Sequence, residues 1–286
     1  MDTINRVLGL TEYFWRESTP MDAAAMFLGS RRSRPSFLLA SSVALVVLAG
    51  CNSTDRTTTG SIKAGPISAN ASQADIARSA TYWGERYSKN PKDKQIGLNY
   101  AQALRLSGRT EQAIAVMRQM VIFHPEDNQV LAAFGKAQAD GGQLNAALAT
   151  IRRAQRPDQP DWKLLSAEGA IHDQLGDPAS ARRLYRQALG IKPADPGVLS
   201  NLGMSYVLEG DLRTAETYMR DAMRQPGADG RVRQNLALVV GLQGRFDEAE
   251  KIASADLSPE QATQNIAFLR STLKQQNAWK KLSDEG

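Results

Sequence analysis

The sequence predicts an all-α solenoid built from tandem antiparallel helix pairs, and three observations carry that prediction. Glycines stand at Gly108, Gly142, Gly176, Gly210 and Gly244, every interval being 34 residues. Alanines five places later (Ala113, Ala147, Ala181, Ala215, Ala249) keep the same interval, and seven places before each glycine stands a small residue: Ala101, Gly135, Gly169, Gly203 or Ala237. Aromatic residues make up only 6% of the 286, which favours helices packed through small side chains over a β-sandwich. A fixed period of this length is the signature of a repeat architecture, in which one unit cannot bury its apolar face and stacking supplies the core.

The first elements along the chain read as an address and an anchor. Residues 1–25 are too long and too acidic for a leader, and initiation at Met26 or Met21 gives one of ordinary length, so 1–25 is read as a misassigned start. In 26–50, Arg31, Arg32 and Arg34 form a basic n-region, and Phe37 to Leu48 is apolar except for Ser41 and Ser42. That pattern is a secretory signal peptide, and the apolar run is shorter than the ~20 residues of a membrane-spanning helix. Its end, Leu48-Ala49-Gly50-Cys51, resembles the bacterial lipobox, and Cys51 is the one cysteine in the chain. The resemblance implies acylation of Cys51 and attachment to a membrane through N-terminal acyl chains, each buried CH₂ contributing ~0.8 kcal/mol. Asn52 in place of Asp after that cysteine implies the periplasmic face of the outer membrane over the inner membrane. Residues 51–70 are rich in Ser, Thr and Gly and read as a flexible tether.

The helical elements follow. Within 71–93, Ile76, Ala80, Trp83 and Tyr87 fall at helical spacing, giving a helix over 74–89. Five units then occupy 94–127, 128–161, 162–195, 196–229 and 230–263. In each, small residues at the eighth and twentieth positions let two helices approach. The glycine between them is expected in the left-handed conformation that ends the first helix. Proline ends the second: Pro125 and Pro193 stand in register, Pro160 and Pro226 one place out. Bulky residues such as Leu131, Phe134 and Ile151, or Leu199, Leu202 and Met219, fill the space between. In 258–286, Ser258-Pro259-Glu260-Gln261 reads as N-cap, first-turn proline and capping box. It opens a helix with Ala262, Ile266, Leu269 and Leu273 on one face, which caps the stack; Trp279 is assigned to the same cap.

These marks together resemble the tetratricopeptide repeat, and the resemblance implies a right-handed superhelix of antiparallel helix pairs. It also implies a concave groove lined by the first helices at positions 2, 5, 9, 12 and 13. The expected groove residues are Gln95, Leu98, Gln102, Arg105, Gln129, Lys136, Asp140, Lys163, Asp173, Gln174, Asn201, Met204, Val207, Leu208, Arg231, Gln234, Asn235 and Leu238. That surface is polar and of mixed charge over units one to three and apolar from unit four, where it suits a partner's amphipathic helix or strand or packs beneath the C-terminal helix. Asn201 and Asn235 share one position in adjacent units, like the asparagines with which tetratricopeptide carboxylate clamps grip a peptide C-terminus. The Lys and Arg that complete such a clamp are missing beside them, where Gly197 stands.

Composition and motifs point away from chemistry. Hydrophobic residues at 42% and charged residues at 23% suit a folded domain. The formal charge of +5 is spread without blocks of one sign, so no nucleic-acid footprint is expected. His124 and His172 have no second ligand at metal-binding spacing. Phosphate-cradling and nucleophile motifs are missing. Pairs such as Glu126/Asp127 and Glu248/Glu250 read as solvated faces. No enzyme activity, metal, cofactor or small-molecule substrate is expected.

Residues 233–270, RQNLALVVGLQGRFDEAEKIASADLSPEQATQNIAFLR, resemble the C-terminal part of TadD-type lipoproteins of the Flp/Tad pilus system. With the lipobox and repeats, the likeness spans about 26–275. It implies a protein-binding scaffold for pilus assembly that aids the outer-membrane secretin, with secretin or other assembly components as partners. The lipobox and repeats alone equally suit a scaffold for another envelope machine, such as outer-membrane protein insertion or cell-wall synthesis.

Overall fold

The computed structural model describes residues 73–284, and all twelve secondary-structure elements among them are helices. The signal segment, Cys51 and the tether lie outside the described residues, as does the side chain of Trp279. In order, α1 is Gln73–Lys89, α2 Lys94–Leu106, α3 Thr110–Phe123, α4 Asn128–Asp140, α5 Leu144–Ala154 and α6 Trp162–Gln174. Then come α7 Pro178–Ile191, α8 Pro196–Glu209, α9 Leu212–Arg224, α10 Gly230–Leu242, α11 Phe246–Ala253 and α12 Pro259–Asp284. Each helix packs on its sequence neighbours, and the first helices of successive units (α2, α4, α6, α8, α10) also touch one another. They form a continuous inner layer.

Local chemistry sets each boundary. Every first helix begins at an aspartate whose carboxylate accepts backbone N–H bonds from its first turn: Asp93, Asp127, Asp161, Asp195 and Asp229. Such caps satisfy donors that the helix leaves open and contribute about 1 kcal/mol each. Every first helix ends at a glycine with φ between 70° and 83°. The next residue then bonds back across six, as in Arg109 N–H to Leu104 O at 2.8 Å and Asp211 N–H to Tyr206 O at 3.0 Å. That is the Schellman closure, which needs the left-handed residue.

The small residues do what their spacing implies. A Cβ added to Gly135 would lie 2.7 Å from Ile151, and one on Gly169 2.7 Å from the Tyr185 ring. Buried clusters run from unit to unit: Leu104, Ile114, Met117, Met120 and Val130, then Leu131, Ile151, Leu164 and Ile171, and onward to Leu236, Val239 and Val240. The core is therefore thin and continuous, each unit covered by the next.

Prolines stop the second helices less regularly than the sequence predicts. Helices α3 and α7 end just ahead of Pro125 and Pro193, but α5 ends at Ala154, well before Pro160. Pro157 stands nearer to that end, and Pro160 belongs to the connection leading into Asp161. The second helix of unit five is also cut to eight residues. Ser258 follows closely and opens α12, with Gln261 N–H donating to Ser258 Oγ (3.2 Å) and Ser258 N–H to Gln261 Oε1 (3.0 Å). Helix α12 buries Ala262, Asn265, Ile266 and Leu269 against the end of the stack.

Polar bonds lock adjacent units. Asn201 Nδ2 donates to Ser166 Oγ at 3.0 Å, and Asn235 Nδ2 to Ser200 Oγ at 2.9 Å, the same bond one period apart. At the joint of units three and four, buried Asp173 accepts from Tyr185 Oη (2.8 Å) and Ser205 Oγ (2.7 Å). At the next joint Glu216 is held by Arg245, Arg220 and Gln243, and Arg220 also reaches Glu248.

Candidate functional site

The inner layer encloses two troughs that share Arg105, Lys136, Trp162 and Lys163 and so form one groove. The first, about 790 Å³, lies between α2 and α4 and is closed at one side by the connection from Gln155 to Trp162. The second, about 580 Å³, runs over α4, α6 and the start of α8 to Arg231. The connection is a fixed wall because Gln155 makes reciprocal bonds with Asp161: Asp161 N–H donates to Oε1 at 2.8 Å, and Nε2 donates to Asp161 O at 3.2 Å.

Ten of the residues expected from sequence line this groove: Leu98, Gln102, Arg105, Gln129, Lys136, Asp140, Lys163, Gln174, Asn201 and Arg231. The others do not. Gln95 is exposed outside it and donates to Asn99 Oδ1 at 3.1 Å. Asp173, Val207, Gln234, Asn235 and Leu238 are buried. The physical reason is that each of these side chains meets a packed helix. Asp173 accepts from Ser205 of α8, and Asn235 donates to Ser200 of α8. Val207 packs with Leu236 and Leu238 of α10, and Gln234 Nε2 donates to Ala253 O of α11 at 3.3 Å. Leu238 lies beneath α12, packed with Ile266 and Leu269. Met204 packs on the edge of that same cluster, and half-buried Leu208 lines neither trough. At unit five the apolar end of the expected groove is covered by this chain's own last helix.

The asparagine pair is likewise redirected. Asn235 is buried in its bond to Ser200. Asn201 keeps one edge in the groove, where Arg231 Nη1 lies 3.4 Å from its Oδ1. Gly197 makes room for that arginine, since a Cβ there would lie 3.1 Å from Arg231 Nη2. A cation does stand beside Asn201, contributed by the following unit.

Sequence reasoning missed Trp162, which lines both troughs and carries the Lys163 ammonium 5.4 Å from its ring centroid. An aromatic at the first position of a unit, next to a groove position, is the signal that identifies it. The amides of Asn128, Gln155 and Gln159 were also missed, because they sit on unit edges outside the five nominal positions.

Charge in the groove is uneven. Arg105 Nε pairs with Asp140 Oδ2 at 2.5 Å. Burial pulls the Lys136 ammonium below its ordinary pKa, and the charges of Arg105 and Lys163 add to that, against weaker help from Asp161 and Asp140. Away from the groove, burial raises the Asp173 carboxyl to about 6 despite the bonds from Ser205 and Tyr185. His172 lies beside Asp177 (3.3 Å) and Arg152 (3.4 Å), and His124 Nε2 lies 2.9 Å from Lys92 O. Among the described residues, no three His, Cys, Asp or Glu side chains converge on a metal-sized site, and no helix is long and apolar enough to cross a membrane.

Two family models, each for the tetratricopeptide repeat, match this chain at 95–119 and 132–196. No curated protein matches it. Among solved structures, the chain is similar to a tetratricopeptide repeat protein from Parabacteroides merdae at 14% identity and a TM-score of 0.60, over 69% of this chain and 79% of that one. It is similar to a chain of the APC/C hetero-tetramer Cut9–Hcn1 at 15% identity and a TM-score of 0.54, over 70% of this chain and 40% of that one. TTC0263, a thermophilic TPR protein of Thermus thermophilus, gives 20% identity and a TM-score of 0.52 over 58% and 91%. At these identities the likeness is one of fold.

Proposed function

We propose that this chain, a member of the tetratricopeptide-repeat family, is a non-catalytic scaffold that holds a partner protein in the groove of its first helices. The observation that carries this reading is the groove itself: a continuous trough over three units, lined by amides, cations and one tryptophan. Repeats of this family generally serve as scaffolds, and extended concave surfaces are what a stacked solenoid offers a partner.

The setting is drawn from the sequence. The lipobox ending in Cys51 supports an acylated protein on the periplasmic face of the outer membrane. The segment 233–270 supports a role in assembly of the Flp/Tad pilus, with the secretin or another assembly component as partner. Deletion of the gene tests this, with secretin multimers and surface pili as readouts and with wild type or Cys51→Ala for complementation. The reading expects both multimers and pili to fall in the deletion strain, to return with wild type, and to return poorly with Cys51→Ala. Pili and multimers that persist in the deletion strain would refute the pilus role; full rescue by Cys51→Ala would refute the need for the anchor.

A further inference from the structure

The groove's unmet chemistry identifies the kind of segment it accepts. Asp140 is paired with Arg105, and Asp161 gives its carboxylate to the first turn of α6. Among the described residues Lys136 has neither a hydrogen bond nor an ion pair, although it is half-buried between Arg105 and Lys163. A desolvated cation flanked by like charges is unfavourable until a carboxylate is brought to it. The side-chain amides of Gln102 and Gln129 line the same trough without a protein partner. An amide both donates and accepts, so each matches one peptide unit. Only an extended chain has peptide units to offer, because a helix already uses its own. Trp162 adds an apolar wall beside the two lysines.

Other anions fit less well. The trough is open and gives a small anion little to bury against. A nucleic acid presents phosphates at every step, and Asp140, Asp161 and Asp195 along the same walls would repel them.

We infer that the groove over units one to three binds an extended partner segment bearing an acidic side chain, its carboxylate set against Lys136 and Lys163 and its backbone held by Gln102 and Gln129. This rests on the reading of the chain as a protein-binding scaffold and names the partner chemistry of that same groove.

The test is selection of random twelve-residue peptides on the full chain in detergent, run in parallel on Lys136→Glu/Lys163→Glu and on Gln102→Ala/Gln129→Ala. Circular dichroism checks that each variant is folded; Lys136→Gln replaces the charge reversal if that variant is not. Wild type is expected to enrich Asp and Glu, and the charge reversal to lose those peptides by at least ~10-fold in affinity while gaining basic ones. Peptides without acidic enrichment that still depend on Gln102 and Gln129 would overturn the acidic specificity and leave the scaffold reading standing. Failure of any peptide to bind in the groove would overturn the inference, while the scaffold reading, which a folded partner also satisfies, would stand. A mixed-sequence single-stranded oligonucleotide that binds tighter than the peptides, with the same dependence on Lys136, would overturn the inference in favour of a nucleic-acid surface.

Discussion

Replacing Asp173 with asparagine separates the charge at the joint of units three and four from its hydrogen bonds. Asp173 is 8% exposed, and its carboxyl is raised from 3.8 to about 6, chiefly by burial. A raised folded-state pKa means that the folded chain holds the proton more tightly than the unfolded one. The group's stabilisation is then complete below pH 3.8 and declines as pH rises through about 6. The shift corresponds to about 3 kcal/mol lost over that window. An asparagine cannot ionise. Its oxygen accepts one of the two hydroxyls, Ser205 or Tyr185, and its N–H donates to the other oxygen, so both neighbours keep a partner. The assay is urea unfolding of the full chain, followed by far-ultraviolet circular dichroism from about pH 4 to pH 7.5. Asp173→Asn should gain on wild type by up to about 3 kcal/mol as pH rises, because other carboxylates titrate alike in both. A difference between the two proteins that stays constant with pH would show that burial does not raise the Asp173 carboxyl.

Three further outcomes follow from the packing. Glu216, which Arg245, Gln243 and Arg220 hold at a pKa of about 2, stabilises the joint of units four and five above its unfolded pKa. Glu216→Gln should lower stability at pH 7 by about 1–2 kcal/mol, since the arginines are two-fifths exposed, and 1 M salt should shrink the loss. Gly169→Ala puts a Cβ 2.7 Å from the Tyr185 ring and should cost about 1–3 kcal/mol by forcing that ring off Asp173. Gly108→Ala meets nothing within 4 Å but must hold φ at 71°, so it should cost about 1–2 kcal/mol through backbone strain alone. Denaturation midpoints read all three.

Which parts of the molecule are legible in the sequence follows from what repeats. The hinge glycines, small contact residues and capping box are legible because each has one local requirement: a positive φ, a close approach, two reciprocal bonds. The series Asp93, Asp127, Asp161, Asp195, Asp229 is equally periodic and marks the start of every first helix as sharply as the glycines mark its end. The groove is less legible, because a position within the repeat does not fix burial. Position twelve is half-exposed in unit one, at Arg105, but buried in unit three, at Asp173, where the residue packs against Ser205 of the next unit and Tyr185 of its own. Position nine faces the groove at Lys136 and lies under α12 at Leu238. The covering helix is not part of the period, so periodicity carries no signal of it. Arg231 shows the same thing in reverse: its place beside Asn201 depends on a neighbouring unit and on the missing side chain of Gly197.

Photo-crosslinking in the living cell shows whether the first-helix groove is the partner-binding surface. A photoreactive residue is placed singly at Gln102, Gln129 and Gln174 in the groove, and at exposed Arg118 and Arg183 on the second helices α3 and α7. If the groove holds the partner, its positions all crosslink to one and the same protein while Arg118 and Arg183 do not. Crosslinks confined to the second helices, with the groove positions silent, would contradict a groove-bound partner.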